Sequence, residues 1–172
     1  MREPTTPDGI LAFHKLLRSD PQRYLQTVNQ WIDDNPDNSH AYFDRHFAWM
    51  KIGEPQRALN DLNKVIELAP EPVAFRSRGE VYRHLGEYDK ALEDFGRAEA
   101  LGPEKWEDDG FGLLFQADCH ARSGDEDSAL ACCNRLPDDF WTPGVNGAPA
   151  GDKVQVADQL RLIAAHARGN RT

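Results

Sequence analysis

The side chains best suited to metal or redox chemistry lie close together in one part of the chain: Cys119, His120, Cys132 and Cys133. Thiolate and imidazole are zinc ligands, but zinc sites commonly use tight spacings such as two cysteines separated by two residues. This segment lacks that spacing. We therefore expect no metal and no cofactor here. A metal-binding protein or an enzyme built on this segment remains an alternative.

The three cysteines are expected to be reduced. An odd, low number of cysteines in a chain of this size is not typical of a disulfide framework. Neighbouring helical residues point about 100° apart, so a bridge between Cys132 and Cys133 would break a helix. No cationic residue is obviously placed to lower the pKa of a thiol, which argues against redox sensing.

Known catalytic patterns are missing. The sequence has no nucleophile elbow, no phosphate-binding loop and no dinucleotide fingerprint. The six histidines are scattered, and none pairs with another at helical spacing. Two acidic clusters, at 104–109 and 125–127, suit solvated loops and the N-termini of helices, where negative charge is favoured. The sequence predicts that this chain is not an enzyme.

Charge and hydropathy exclude other classes. The net charge is -9, with 29 acidic and 20 basic side chains. Nucleic-acid binding needs clustered Lys and Arg on the phosphate backbone, and anionic membranes attract basic segments. We therefore expect neither partner. No apolar run approaches the ~20 residues of a membrane span, and the first residues, 1–8, do not resemble a secretory signal. A cytoplasmic location is expected.

The strongest pattern is internal repetition. A Gly, an acid and then an Ala-Leu pair five and six residues after the Gly occur three times, beginning at Gly53, Gly86 and Gly124. The separations are 33 and 38 residues. The first is close to the 34-residue period of one class of helical repeat. The second implies an insertion of about four residues, marked by the acidic cluster at 104–109.

The repeats resemble the tetratricopeptide repeat (TPR) family. The copy at 72–105 fits best, with Phe75, Gly79, Tyr82, Gly86, Tyr88, Ala91, Phe95, Ala98 and Pro103 at the family's signature spacings. The copy at 39–71 is similar, but it has His46 where the family has a small residue. A partial copy covers 110–137 and a degenerate copy about 5–38. The predicted organisation is a TPR-like array over 1–137, a loop at 138–151, and a capping helix with a tail at 152–172.

The resemblance implies an all-α, right-handed helical-hairpin solenoid. Apolar stripes and the Pro and Gly positions agree with it, and they predict helices at about 8–18, 21–35, 39–52, 55–69, 72–85, 88–101, 110–123, 125–136 and 152–168. Asp152 should cap the last helix. Its stripe of Val156, Leu160, Ile163 and Ala167 should cover the last repeat, with a polar face outward.

In this family the first helix of each pair lines the concave groove that holds a partner. The residues that fall on that face here are predicted to bind the partner: Phe43, Phe47, Met50, Arg76, Glu80, Arg83, Leu114 and Asp118. Exposed large apolar side chains usually mark interaction sites. The alternative is that Phe43, Phe47 and Met50 pack on the two helices that precede them.

The resemblance implies a non-enzymatic adaptor or scaffold that binds a peptide or helix of another protein. A dedicated chaperone, or an immunity-type protein that masks one specific effector, is an alternative. Some TPR proteins grip a chaperone's C-terminal carboxylate with Lys and Asn. The corresponding positions here hold other residues, namely Phe43, Phe47, Ser77, Phe111 and Phe115. A co-chaperone of that kind is therefore not expected.

Overall fold

The computed structural model describes residues 7–102 and 110–170. The described residues form nine α-helices and one pair of short strands. The helices are α1 Pro7–Ser19, α2 Pro21–Asp34, α3 Ser39–Lys51, α4 Pro55–Leu68, α5 Pro72–His84, α6 Tyr88–Leu101, α7 Phe111–Arg122, α8 Glu126–Asn134 and α9 Lys153–Gly169. The predicted all-α fold class is confirmed. The predicted insertion, with the acidic cluster at 104–109, lies outside the described residues.

Local chemistry explains where these helices begin. Asp20, Asn38 and Asp125 each accept a hydrogen bond from a backbone N–H in the first turn of the following helix. Such caps satisfy amide groups that have no partner within the helix. Asp152 caps α9 as predicted, and the side-chain oxygen of Gln155 accepts a hydrogen bond from the backbone N–H of Asp152, which completes a capping box.

Glycine makes the turns between paired helices possible. Gly53, Gly86 and Gly124 all have φ near +78°, in the left-handed region that other residues rarely adopt. At the first of these turns the N–H of Gly53 donates to the carbonyl of Met50, and the N–H of Glu54 to that of Trp49. These hydrogen bonds end α3 and let α4 begin within a few residues.

The chain divides into two compact units, residues 1–81 and 82–172. In the first unit, α1, α2 and α3 enclose an apolar cluster in which the rings of Phe13 and Tyr24 stack 4.1 Å apart. Ala41 and Ala48 are fully buried on α3, so this helix can approach its neighbours closely. Further along the unit, Ala58 and Leu62 form the buried side of α4.

The second unit is built around α7, which packs against α6, α8 and α9. Val156, Leu160 and Ala164 of α9 are completely buried in its apolar cluster. The predicted stripe of α9 was therefore right for Val156 and Leu160, whereas Ile163 and Ala167 lie at the edge. The expected polar outer face was wrong at two positions, since Val154 and Leu162 are 70% and 71% exposed.

The segment between α8 and α9 carries the two strands. β1, Trp141–Thr142, pairs antiparallel with β2, Gly151–Asp152. This pairing closes residues 143–150 into a defined loop. None of the described helices combines the length and apolar character needed to cross a membrane.

Candidate functional site

One face of α3 carries three large apolar side chains, which we call the α3 patch: Phe43, Phe47 and Met50. Phe47 is 43% exposed, and the other two are partly exposed. The rings of Phe43 and Phe47 meet edge to face, with centroids 5.5 Å apart. Such pairs hold their rings in a fixed geometry. The α3 patch therefore offers an ordered apolar surface.

His46 supports this patch from within the protein. Its side chain is buried, and its ring centroid lies 3.9 Å from that of Phe47. Nδ1 lies against the carbonyl oxygen of Phe43, to which it donates when it carries the hydrogen. Burial penalises the charged imidazolium and lowers the pKa of His46 to about 4. The residue that departs from the family pattern is thus a neutral packing group next to Phe47.

The apolar cluster around α1 and α2 takes other side chains from α3. It buries Ala41 and Ala48, with Tyr42, Trp49 and Ile52 packed at its edge. Among the described residues of that cluster, no member belongs to the α3 patch. Phe47 itself keeps 43% of its surface exposed, so it is not enclosed by the first two helices.

Two further predicted site residues, Arg76 and Glu80, lie on α5 in the first unit. Arg76 is only 5% exposed, so it does not project into solvent as a polar guide for a partner. Glu80 is partly exposed. Both residues take part in further interactions within the protein. Only Glu80 of these two offers surface to a ligand in this conformation.

The remaining polar site residues, Arg83 and Asp118, bind each other. A guanidinium nitrogen of Arg83 lies 2.6 Å from Oδ2 of Asp118, and both side chains are inaccessible to solvent. Nε of Arg122 donates to both oxygens of the same carboxylate at 2.9 Å. The plane of Arg83 also stacks on the ring of Phe115, 4.7 Å from its centroid. We call Arg83, Asp118 and Arg122 the arginine seat.

The loop between the two strands contacts the arginine seat. One N–H of Arg83 donates to the carbonyl of Asn146 at 2.8 Å, and one of Arg122 donates to the carbonyl of Gly147 at 2.8 Å. Asn146 and Gly147 both have positive φ, and the N–H of Ala148 closes the turn onto the carbonyl of Val145. This is the geometry of a tight turn that Asn-Gly favours.

The last predicted apolar position is buried as well. Leu114 is fully buried, and it belongs to one apolar cluster with Ala148 and Val145 of the loop. The structure thus buries Arg83, Leu114 and Asp118, which were predicted to face a partner. Sequence reasoning missed Arg122, Asn146 and Gly147. The Asn-Gly pair signalled a turn, but its position against α7 had no sequence signal.

The cysteines that were considered as metal ligands are part of the core. Cys119, Cys132 and Cys133 are buried and free. Burial raises the pKa of Cys119 to about 12, and the neighbouring carboxylate of Asp118 adds to the shift. His120 lies 3.6 Å from Asp125. Within the described ranges, no group of three His, Cys, Asp or Glu side chains is arranged to hold a metal ion.

An open polar cleft of about 470 Å³ lies between α2, α3 and α4 in the first unit. The charged side chains at its centre form hydrogen bonds with one another and with neighbouring residues. Arg45 donates to both carboxylate oxygens of Asp61 and to Asn29, and the indole N–H of Trp49 donates to Asp61 at 2.9 Å. Arg57 covers the face of Trp49 at 4.8 Å. This network joins three helices.

Comparisons with known proteins point to one repeat type. Residues 72–105 match the family model described as tetratricopeptide repeat. Bovine DnaJ homolog subfamily C member 3 is 36% identical over 85 residues, which is 49% of this chain and 17% of that protein. The chain therefore spans less than a fifth of the length of this curated relative.

Solved structures share the fold over nearly the whole chain. MamA (residues 41 to the end) from Desulfovibrio magneticus RS-1 superposes with a TM-score of 0.66 at 15% identity, covering 93% of both chains. YrrB, described as a TPR protein with an unusual peptide-binding site, gives a TM-score of 0.63 at 18% identity, covering 91% of this chain and 88% of its own. These likenesses establish the helical-hairpin solenoid fold.

Proposed function

Because the chain is a tetratricopeptide repeat protein, we propose that it is a protein–protein interaction module. The α3 patch binds an apolar segment of another protein, and Phe47 is its central anchor. The observation that carries this proposal is the exposure of Phe47. A large ring 43% exposed, in contact with Phe43 and beside the partly exposed Met50, forms an apolar patch, and such patches often mark interaction sites.

The geometry of the patch suits an anchor. The edge-to-face contact with Phe43 and the neighbouring ring of buried His46 restrain Phe47 before any partner arrives. A side chain that is already ordered loses less conformational entropy on binding. Aromatic residues at the centre of an interface often contribute most of its binding energy. Phe43 and Met50 then extend the apolar contact to either side.

The partner segment is proposed to be amphipathic. Its apolar side chains would contact Phe47 and Met50, and its polar side would stay in water. Helical spacing also predicts Arg76, Glu80, Arg83, Leu114 and Asp118 on the face that binds a partner. We retain Glu80 from that set, since it is the one that is partly exposed.

We further propose that the chain is non-enzymatic and acts in the cytoplasm as an adaptor. Its most nucleophilic residue type is unsuited to catalysis here, because the thiol of Cys119 is buried with a raised pKa. Free cysteines that form no disulfide are typical of proteins in a reducing compartment such as the cytoplasm.

The test uses the native cell extract and then the purified partner. The chain captures a protein, which is identified and titrated against wild type, Phe47→Ala and Trp141→Ala. Trp141 is 64% exposed and lies in the second unit, so it is a matched exposed aromatic. Phe47→Ala should weaken binding at least tenfold, or about 1.4 kcal/mol, whereas Trp141→Ala should not.

A stability measurement separates binding from folding. Phe47→Ala should change the free energy of unfolding by about 1 kcal/mol or less, as is usual for surface positions. Phe13→Ala, in the stacked core of the same unit, should cost ~3–5 kcal/mol. If Phe47→Ala proves as destabilising as Phe13→Ala, or binds the partner as tightly as wild type, the proposed anchor is wrong.

A further inference from the structure

The turn at Asn146-Gly147 meets the arginine seat in the way a bound peptide would. It offers two successive backbone carbonyls, and each accepts a hydrogen bond from a different arginine. The turn itself lies at the surface, since Asn146 and Gly147 are both exposed. Displacement of this exposed turn would therefore free the two guanidinium N–H groups that now donate to its carbonyls.

The seat carries more positive charge than its occupant neutralises. Arg83 and Arg122 share the single carboxylate of Asp118, which leaves one positive charge in excess among these three side chains. The loop supplies only neutral carbonyl oxygens. In addition, Nε of Arg83 is buried, and no described residue accepts its hydrogen bond. A carboxylate would pair with guanidinium groups more strongly than a neutral carbonyl does.

Beyond the seat, the loop contacts the core and α9 through small groups. Its apolar contribution to the core consists of the buried Ala148 and Pro149 and the partly buried Val145. The side chain of Gln159 on α9 exchanges two hydrogen bonds with the backbone of Ala150. Because the buried apolar side chains are small, removal of the turn from the seat sacrifices little hydrophobic burial.

We propose that the arginine seat is a second binding surface, for an acidic peptide segment, and that the Asn146-Gly147 turn is its internal occupant. A partner carboxylate takes the place of the two loop carbonyls, and the chain binds it only when the turn is displaced. This inference rests on the proposed function in one respect, namely that the chain binds protein segments. It concerns a different unit and different residues from the α3 patch.

Gly147 provides a way to loosen the turn without a steric clash. Its φ is +78°, and a Cβ at this position would meet nothing within 4 Å. Gly147→Val therefore strains only the backbone, because a β-branched residue avoids positive φ. Gly147→Asn is the matched control, since Asn tolerates this conformation. Gln159→Ala is a second loosening variant, and hydrogen exchange at 143–150 verifies the loosening.

The probe is a fluorescein-labelled Gly-Glu-Asp-Glu-Asp-Gly peptide with blocked ends, titrated by anisotropy. The same peptide with Gln and Asn in place of the acids is its neutral counterpart. Gly147→Val should bind the acidic peptide at least tenfold more tightly than wild type and Gly147→Asn do, and salt should weaken the binding. Addition of Arg122→Gln to Gly147→Val should remove the gain. The neutral peptide should show no gain.

Each other result overturns the inference. If hydrogen exchange rises in Gly147→Val while acidic-peptide affinity stays at the wild-type level, the seat is a structural contact alone. If neither loosening variant raises exchange, the turn is not displaceable. Equal binding of acidic and neutral peptides would remove the charge argument. The titration does not involve the α3 patch, so failure of the Phe47 anchor leaves its outcome unchanged.

Discussion

The guanidinium of Arg83 and the carboxylate of Asp118 lie 2.6 Å apart, and the two side chains are 3% and 0% exposed. They are 35 residues apart in the chain, at the end of α5 and within α7. Two charges removed from water at this contact carry a large desolvation cost, which their mutual attraction and the additional hydrogen bonds of each side chain offset. This pair fixes how the end of α5 meets α7 in the second unit.

Loss of one partner of this pair should be strongly destabilising. Asp118→Ala leaves Arg83 buried without its counter-ion, and it should lower the free energy of unfolding by ~3–5 kcal/mol. Asp158→Ala is the control, because it removes the exposed contact of Asp158 with Arg161 and should cost less than ~1 kcal/mol. Urea denaturation followed by circular dichroism measures both. Equal, small losses would show that the buried pair contributes no more than a surface one.

Two leucines of α9 should differ sharply although they are two residues apart. Leu160 is fully buried, whereas Leu162 is 71% exposed. Leu160→Ala removes packed side-chain atoms and should cost ~2–5 kcal/mol. Leu162→Ala should stay within about 0.5 kcal/mol of wild type. Thermal melts of the two variants give the comparison, and a reversed order would mean that α9 docks through its other face.

His46 should make stability depend on pH. The pKa of His46 is lowered to about 4 by burial in the folded chain, against ~6.5 when unfolded. Between these values the unfolded chain binds the extra proton, so stability present above pH ~6.5 is lost as the pH falls towards 4. The loss should reach as much as about 3 kcal/mol.

His46→Ala isolates this effect, because the carboxylates of the chain titrate in both proteins. We expect the free energy of unfolding of wild type to fall more steeply than that of the variant between pH 6.5 and 4.5. Urea titrations at several pH values give the two curves. Parallel curves would mean that His46 titrates normally in the folded protein.

The three thiols should be protected in the folded chain. All are buried, and burial raises the pKa of each, that of Cys119 to about 12. Because the thiolate is the reactive form, reaction with Ellman's reagent at pH 8 should be slow in the native protein. In denaturant, three thiols per chain should react quickly. Rapid modification of any one in the native state would contradict the burial of that side chain.

Much of the architecture was readable from the sequence, because helix ends are determined locally. Pro21 and Pro55 open helices, Gly53 and Gly86 supply positive φ at the turns, and Asp152 caps α9. The helix bounds predicted from these signals agree with the structure to within two residues. Aligning the repeats on their period showed which helices form pairs. It also placed the three residues of the α3 patch on one face of α3.

Tertiary structure alone decided which predicted site residues remain accessible. Helical spacing placed Arg83, Leu114 and Asp118 on one kind of face, but accessibility depends on what else reaches that face. The carbonyl of Asn146 contacts Arg83 although it lies 63 residues further along the chain. No local sequence pattern encodes such a contact between a backbone carbonyl and a distant guanidinium. The sequence determined which side of each helix these residues occupy, whereas long-range packing determined that all three are buried and that the loop contacts Arg83.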